Sequence, residues 1–177
     1  MRLLYLLLAL LAPAAAPAET FTVGAGESQV RFTARLLGHS VPGSFGRFSG
    51  RVTVDPAHPE RFSAEAKIEV ASIATGIERR DRHLRSADYF DADKYPEILF
   101  HSRSVKPAPD GSFDLVGDLT IKQTTKRVVL HVHPRSPSSW DATAQLDRKD
   151  FGIARAAFSD KGIGDTIAVA LHVEGRR

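Results

Sequence analysis

The 177-residue chain has no cysteine, one tryptophan, three tyrosines and one methionine. The missing cysteine excludes disulfide staples, thiolate nucleophiles, thiolate metal ligands and an acylated amino-terminal cysteine. So few Trp and Tyr weigh against an outer-membrane barrel, which needs an aromatic girdle at each membrane interface. There is no Gly-x-Ser-x-Gly nucleophile elbow and no Gly-x-x-x-x-Gly-Lys phosphate loop. Neither sign of charge dominates: 24 Lys and Arg are interspersed with 21 Asp and Glu, for a formal net charge of +3. Nothing in that balance, and no reading motif, points to nucleic acid.

Long apolar runs are also scarce. The exception is Leu3 to Leu11, which follows Arg2 and precedes Ala16-Pro17-Ala18. This is the pattern of a secretory signal, too short for a transmembrane span, with small residues suited to signal peptidase. Cleavage before Glu19 is expected, leaving 19–177 as one domain in a bacterial periplasm.

What the chain does have is alternation. Val30, Phe32 and Ala34 alternate with Arg31, Thr33 and Arg35, and Phe62, Ala64, Ala66, Ile68 and Val70 with Ser63, Glu65, Lys67 and Glu69. The same period of two runs through Phe48 to Val54, Ile98 to Ser104, Phe113 to Ile121, Val128 to Val132, Trp140 to Leu146 and Ile167 to Val173. In the fourth of these runs Ile98, Phe100, Ser102 and Ser104 are expected to share the inner face, and Pro134 to Ser139 to form a loop. Eight or nine strands, each with one dry face, predict an antiparallel sandwich or barrel. The dry faces mix Phe, Ile and Leu with Ala34, Gly50, Ala64, Ala66, Gly117, Ala142 and Ala144. Such a mixture suits a hollow centre or, where small residues oppose large ones, a filled core.

One stretch breaks the alternation. Glu78 to Arg85 is rich in straight-chain helix formers, and Pro96 forces Tyr95 towards extended geometry. A short basic helix, an aromatic turn around Tyr89, Phe90 and Tyr95, and a new strand are expected, arranged as a lid over an opening. The competing reading is a solvated charged connection anchored by Leu84 and Phe90.

Catalytic and metal chemistry find little support. His131 and His133 project to one side of their strand and could share a metal with His101 or His172. Their neighbours Val128, Leu130 and Val132 mark the buried face, so both imidazoles should point into water. Asp81, His83 and Ser86 read as capping and surface residues. No catalytic residue, metal site or cofactor is expected.

Thr75, Arg80-Asp81, His83-Leu84, Ser86, Asp88-Tyr89-Phe90-Asp91, Tyr95-Pro96, Phe100 and Ser102 together resemble the signature of the YceI-like, or polyisoprenoid-binding, family. Ser28 to Phe32, Gly43-Ser44-Phe45 with Phe48-Ser49-Gly50, Gly117 to Lys122 and Arg148 to Gly152 agree with it in order. The resemblance implies an all-β, lipocalin-like eight-stranded antiparallel barrel, hollow, holding an isoprenoid or a similar long-chain lipid such as a quinone or fatty amide. On that reading Phe32, Phe48, Phe62, Ile68, Phe100, Phe113 and Leu130 are expected in the tunnel wall, and Leu37 and Phe90 at its mouth. Arg82, Arg85, Arg148 and Arg155 are expected to meet an anionic head group through forked guanidinium bonds. The alternative is a non-catalytic interaction module with a filled core, whose basic lid docks on a partner or an anionic membrane face. Transient membrane contact and a dimer are compatible with either reading.

Overall fold

The computed structural model describes residues 17–154 and 162–177. Its strands are β1 (Glu19–Gly24), β2 (Gln29–Leu36), β3 (His39–Phe45), β4 (Phe48–Val54), β5 (Ser63–Glu69), β6 (Ile73–Ala74), β7 (Glu97–Pro107), β8 (Phe113–Ile121), β9 (Thr124–Ser136), β10 (Ser139–Asp147) and β11 (Thr166–Glu174). Helix α1 (Glu78–Arg85) stands between β6 and β7. All the strands join one sheet in the order β1-β4-β5-β7-β8-β9-β10-β11-β2-β3-β6, and every pairing is antiparallel.

The 11 strands reduce to eight staves, because three staves are each broken in two. β1 and β2 lie end to end along β11: Thr33 to Gln29 pair with Ala168 to His172, and beyond the break Thr22 and Arg176 exchange backbone hydrogen bonds of 2.8 and 2.9 Å. Ser28 fills the break, its hydroxyl accepting from the backbone N–H of Glu174 at 2.9 Å. β3 and β4 form the next stave, kinked at Gly46 and Arg47, with β3 on β2 and β4 on β1. β5 and β6 form the third, interrupted by a 3-10 turn at Val70–Ser72, with β5 on β4 and β6 on β3. The ring therefore closes, as the eight-stranded barrel requires. Breaks of this kind supply the bend that a small barrel needs.

Alternation places Leu115, Leu119 and Ile121 of β8 and Trp140, Ala142 and Ala144 of β10 in the buried interior. β7 departs from expectation. A bulge between Ser102 and Ser104 reverses the parity, so Ser102 stays inside, where its hydroxyl accepts from the Ala64 N–H at 2.9 Å, while Ser104 is exposed and Val105 packs on the core. The extra residue flips every side chain beyond it to the other face. β9 also continues through Pro134 to Ser136 where a loop is expected, pairing Pro134 with Trp140 beside a second irregularity. β3 holds Pro42 opposite Thr33, in a stretch whose other edge is unpaired, where a missing N–H is tolerated.

Outward residues form ion pairs across neighbouring strands, including Arg103 and Arg127, which both grip Asp118 at 2.7 and 2.8 Å. The Arg103 bond, seconded by that of Arg127, holds the Asp118 carboxyl below its ordinary range. His131 is on the same outer face, its Nδ1 2.6 Å from Asp114.

Candidate functional site

The barrel encloses a cavity of about 460 Å³, within the range of roughly 300–1,000 Å³ common for small-molecule sites. Glycine explains why the interior is not filled. The ring of Phe100 lies over Gly117 of the neighbouring β8, where an added Cβ would sit 2.4 Å from it. The ring of Phe32 lies over Gly43 of β3 in the same way, with 2.2 Å to an added Cβ. Both rings thus recline along the wall instead of reaching across the axis. Ala64, Ala66, Ala142 and Ala144 border the same space and leave it open.

One end of the bore is stopped by rings carried on the wall itself. Trp140 stands 5.8 Å from both Phe21 and Phe62, and Phe62 stands 4.8 Å from Phe113, in edge or tilted arrangements that suit aromatic quadrupoles. Trp140 and Phe62 border the cavity, with Phe21 and Phe113 behind them.

The other end is covered by α1 and the turn after it. Phe90 stands 6.2 Å from Phe45, which stands 5.6 Å from Phe32. Polar bonds hold the cover in place. Asp81 is buried and accepts from the backbone N–H of Thr75 at 2.9 Å and also from the Thr75 hydroxyl. Arg80 donates to the Thr75 hydroxyl and carbonyl oxygens, both at 2.7 Å. His83 lies 2.8 Å from the Asp88 carboxylate and edge-on to Tyr89 at 5.1 Å.

Of the residues expected in the wall, Phe32, Phe48, Phe62, Ile68, Phe100 and Leu130 border the cavity, as does Phe90 at the lid. Phe113 does not, because Phe62 stands between it and the bore. Leu37 does not either. It is 73% exposed at the tip of the β2–β3 hairpin.

The arginines fall differently from expectation. Arg82 is on the exposed side of α1, 4.0 Å from Glu78, and Arg85 donates to Glu78 at 2.9 Å; neither borders the cavity. Arg148 does border it, but its buried guanidinium donates to the carbonyls of Ile153, Gly164 and Ile163 and to Asp165. That cradle ties the β10–β11 connection together and commits the fork that an anionic head group would need. Arg155 lies outside the described residues. The polar side chains that α1 and its entry do bring to the cavity are Thr75, Arg80 and His83. Helical spacing could have found two of them, since Arg80, His83 and Leu84 are three and four residues apart on one face. Among the described residues no buried side-chain nitrogen or oxygen lacks a partner, so the deep bore offers no orphan polar group to a ligand.

The family model of the YceI-like domain matches residues 21–175. A UPF0312 protein of Vibrio cholerae is 31% identical over 175 residues, covering 92% of this chain and 90% of the relative. One from Ectopseudomonas mendocina is 33% identical over 159 residues, covering 84% and 81%. Among solved structures, BcnA of Burkholderia cenocepacia superposes with a TM-score of 0.74 at 27% identity, over 82% of this chain and 94% of BcnA. A polyisoprenoid-binding domain from Saccharophagus degradans shares the fold, with a TM-score of 0.62 at 15% identity over 89% of this chain and all of that one.

Proposed function

The chain belongs to the YceI-like family, and from that membership and the open apolar bore we propose that it is a non-catalytic lipid-binding protein of the bacterial periplasm. It holds one isoprenoid, or a comparable long-chain amphiphile such as a quinone or fatty amide, with the chain in the bore and the polar end towards α1. The observation that carries this reading is the pair of phenyl rings laid flat on glycines, which keeps the axis clear at the level where a packed core would close it. The polyisoprenoid-binding domain of like fold supports the ligand class.

The energetics fit a carrier. Burying hydrocarbon is favourable by about 0.8 kcal/mol per methylene, so a chain of about forty carbons has a gross driving force of roughly 30 kcal/mol. This exceeds the practical limit of roughly 20 kcal/mol for noncovalent affinity. Chain ordering and the lipid's own burial in a bilayer offset much of it, leaving a small net preference that allows loading and release.

The test is organic extraction of the protein purified from its native host, followed by mass spectrometry. A long-chain lipid at about one per protein is expected, on a mature chain beginning at Glu19. A clean blank after gentle purification overturns the reading in favour of an interaction module.

A further inference from the structure

The tip of the β2–β3 hairpin carries a leucine whose side chain lies against Gly162 on one side and is otherwise largely in solvent. Leu36 pairs with His39, so Leu37 and Gly38 form a two-residue loop, and both have positive φ, 50° and 82°. This is the backbone of a type I′ turn, which favours Asn-Gly or Asp-Gly because a branched side chain is strained there. Here the first position is a leucine, and that leucine is 73% exposed. It is not loose chain. Leu37 N–H donates to the Gly162 carbonyl at 2.7 Å, and Gly164 N–H to the Arg35 carbonyl at 2.8 Å.

Other exposed apolar residues gather at this end. Leu36 is 37% exposed, and Ile77, at the entry to α1, is 53% exposed. Ile77 is the residue immediately before α1, three past the end of β6, the short strand that pairs with β3. Leu36, Val41, Thr75 and Arg80 all border the mouth of the cavity. Exposed Arg35 and Arg79 flank the two apolar tips and make no ion pair among the described residues. Most arginines on the barrel's outer strands, by contrast, are matched to carboxylates, as with Arg51 and Glu65 or Arg103 and Asp118.

We propose that this rim docks on an anionic lipid bilayer, with Leu37 and Ile77 entering the headgroup boundary and Arg35 and Arg79 against lipid phosphates. The inference rests on the cavity being a lipid store, since it sets the mouth against the membrane from which that lipid comes. Apolar tips ringed by unmatched cations fit a charged interface better than a dry protein contact. Strain at Leu37 is then the cost of presenting an apolar side chain outward.

The test is flotation of the full chain with mixed phosphatidylcholine and phosphatidylglycerol vesicles, and with pure phosphatidylcholine vesicles. Binding is expected to the mixed vesicles only, and to weaken with salt. Leu37→Asn supplies the residue that the turn prefers, so it should leave the melting temperature unchanged or raised while weakening vesicle binding by about tenfold or more. Arg35→Gln with Arg79→Gln should weaken it by roughly tenfold. Equal binding to both kinds of vesicle, or full binding by Leu37→Asn, overturns the proposal. So does a wild-type dimer that Leu37→Asn dissolves, which assigns the rim to a second copy. Protein that yields lipid on extraction but fails to float overturns docking alone, whereas protein gently purified from its native host that yields no lipid on extraction yet still floats overturns the storage reading and leaves docking in place.

Discussion

The two ends of the barrel are closed by different means. At one, Phe21, Phe62, Phe113 and Trp140 meet ring to ring, carried on strands or immediately beside them, so opening that end means opening the sheet. At the other, Phe90 and Tyr89 come from a segment outside the sheet, held by the bonds among Thr75, Arg80 and Asp81 and between His83 and Asp88. Dispersion and apolar burial act over whole surfaces and yield cooperatively with the fold. Directional bonds can break and re-form a few at a time. The difference assigns stability to the aromatic end and access to the end under α1.

The largest expected effect tests the aromatic end. Trp140→Ala should destabilise the whole domain by about 3–5 kcal/mol, read as a lowered urea midpoint at unchanged slope. A loss below about 1 kcal/mol would mean that the rings do not hold the wall. Asp81→Ala tests the lid, where removing a buried acceptor of two bonds should cost about 2–3 kcal/mol. Amide exchange should then rise across 75–95 and stay unchanged around Trp140; uniform exposure would erase the distinction between the ends.

Between the ends, Ala64→Phe with Ala66→Phe should fill the bore at a cost of about 1–3 kcal/mol in stability. The variant should remain folded yet yield no lipid on extraction, and full lipid recovery would move the tunnel elsewhere. The smallest effect belongs to the outer face, which serves neither end. Because Asp118 has its pKa lowered by Arg103 and Arg127, its contribution to stability is present above the ordinary carboxylate pKa and is lost as pH falls below about 4. Asp118→Asn should therefore flatten the acid limb of the stability profile while leaving lipid occupancy unchanged.

Much of this was legible in one dimension. A period of two requires no knowledge of neighbours, so Phe62 to Val70 and Phe113 to Ile121 announced their strands and inner faces. Helix α1 was equally plain, with straight-chain residues from Glu78 and Pro96 before β7. The register was not. Ser104 faces outward because a bulge inserts one residue opposite a strand 15 or so positions away, and no local pattern signals that. The arginines were misplaced for a related reason: guanidinium chemistry is visible in the sequence, but whether a fork is free depends on which carbonyls the chain folds around it. Arg148 is surrounded by them.

By itself the sequence determined antiparallel strands with one dry face and a short helix before one of them, because alternation, turn residues and Pro96 act over a few neighbouring positions. Periodicity left sandwich and barrel both open, and the family resemblance selected the barrel. Whether that barrel is hollow was decided only by tertiary structure. The choice depends on Phe32 meeting Gly43 and Phe100 meeting Gly117 across strands, so that each ring lies against the wall and the space on the axis stays empty.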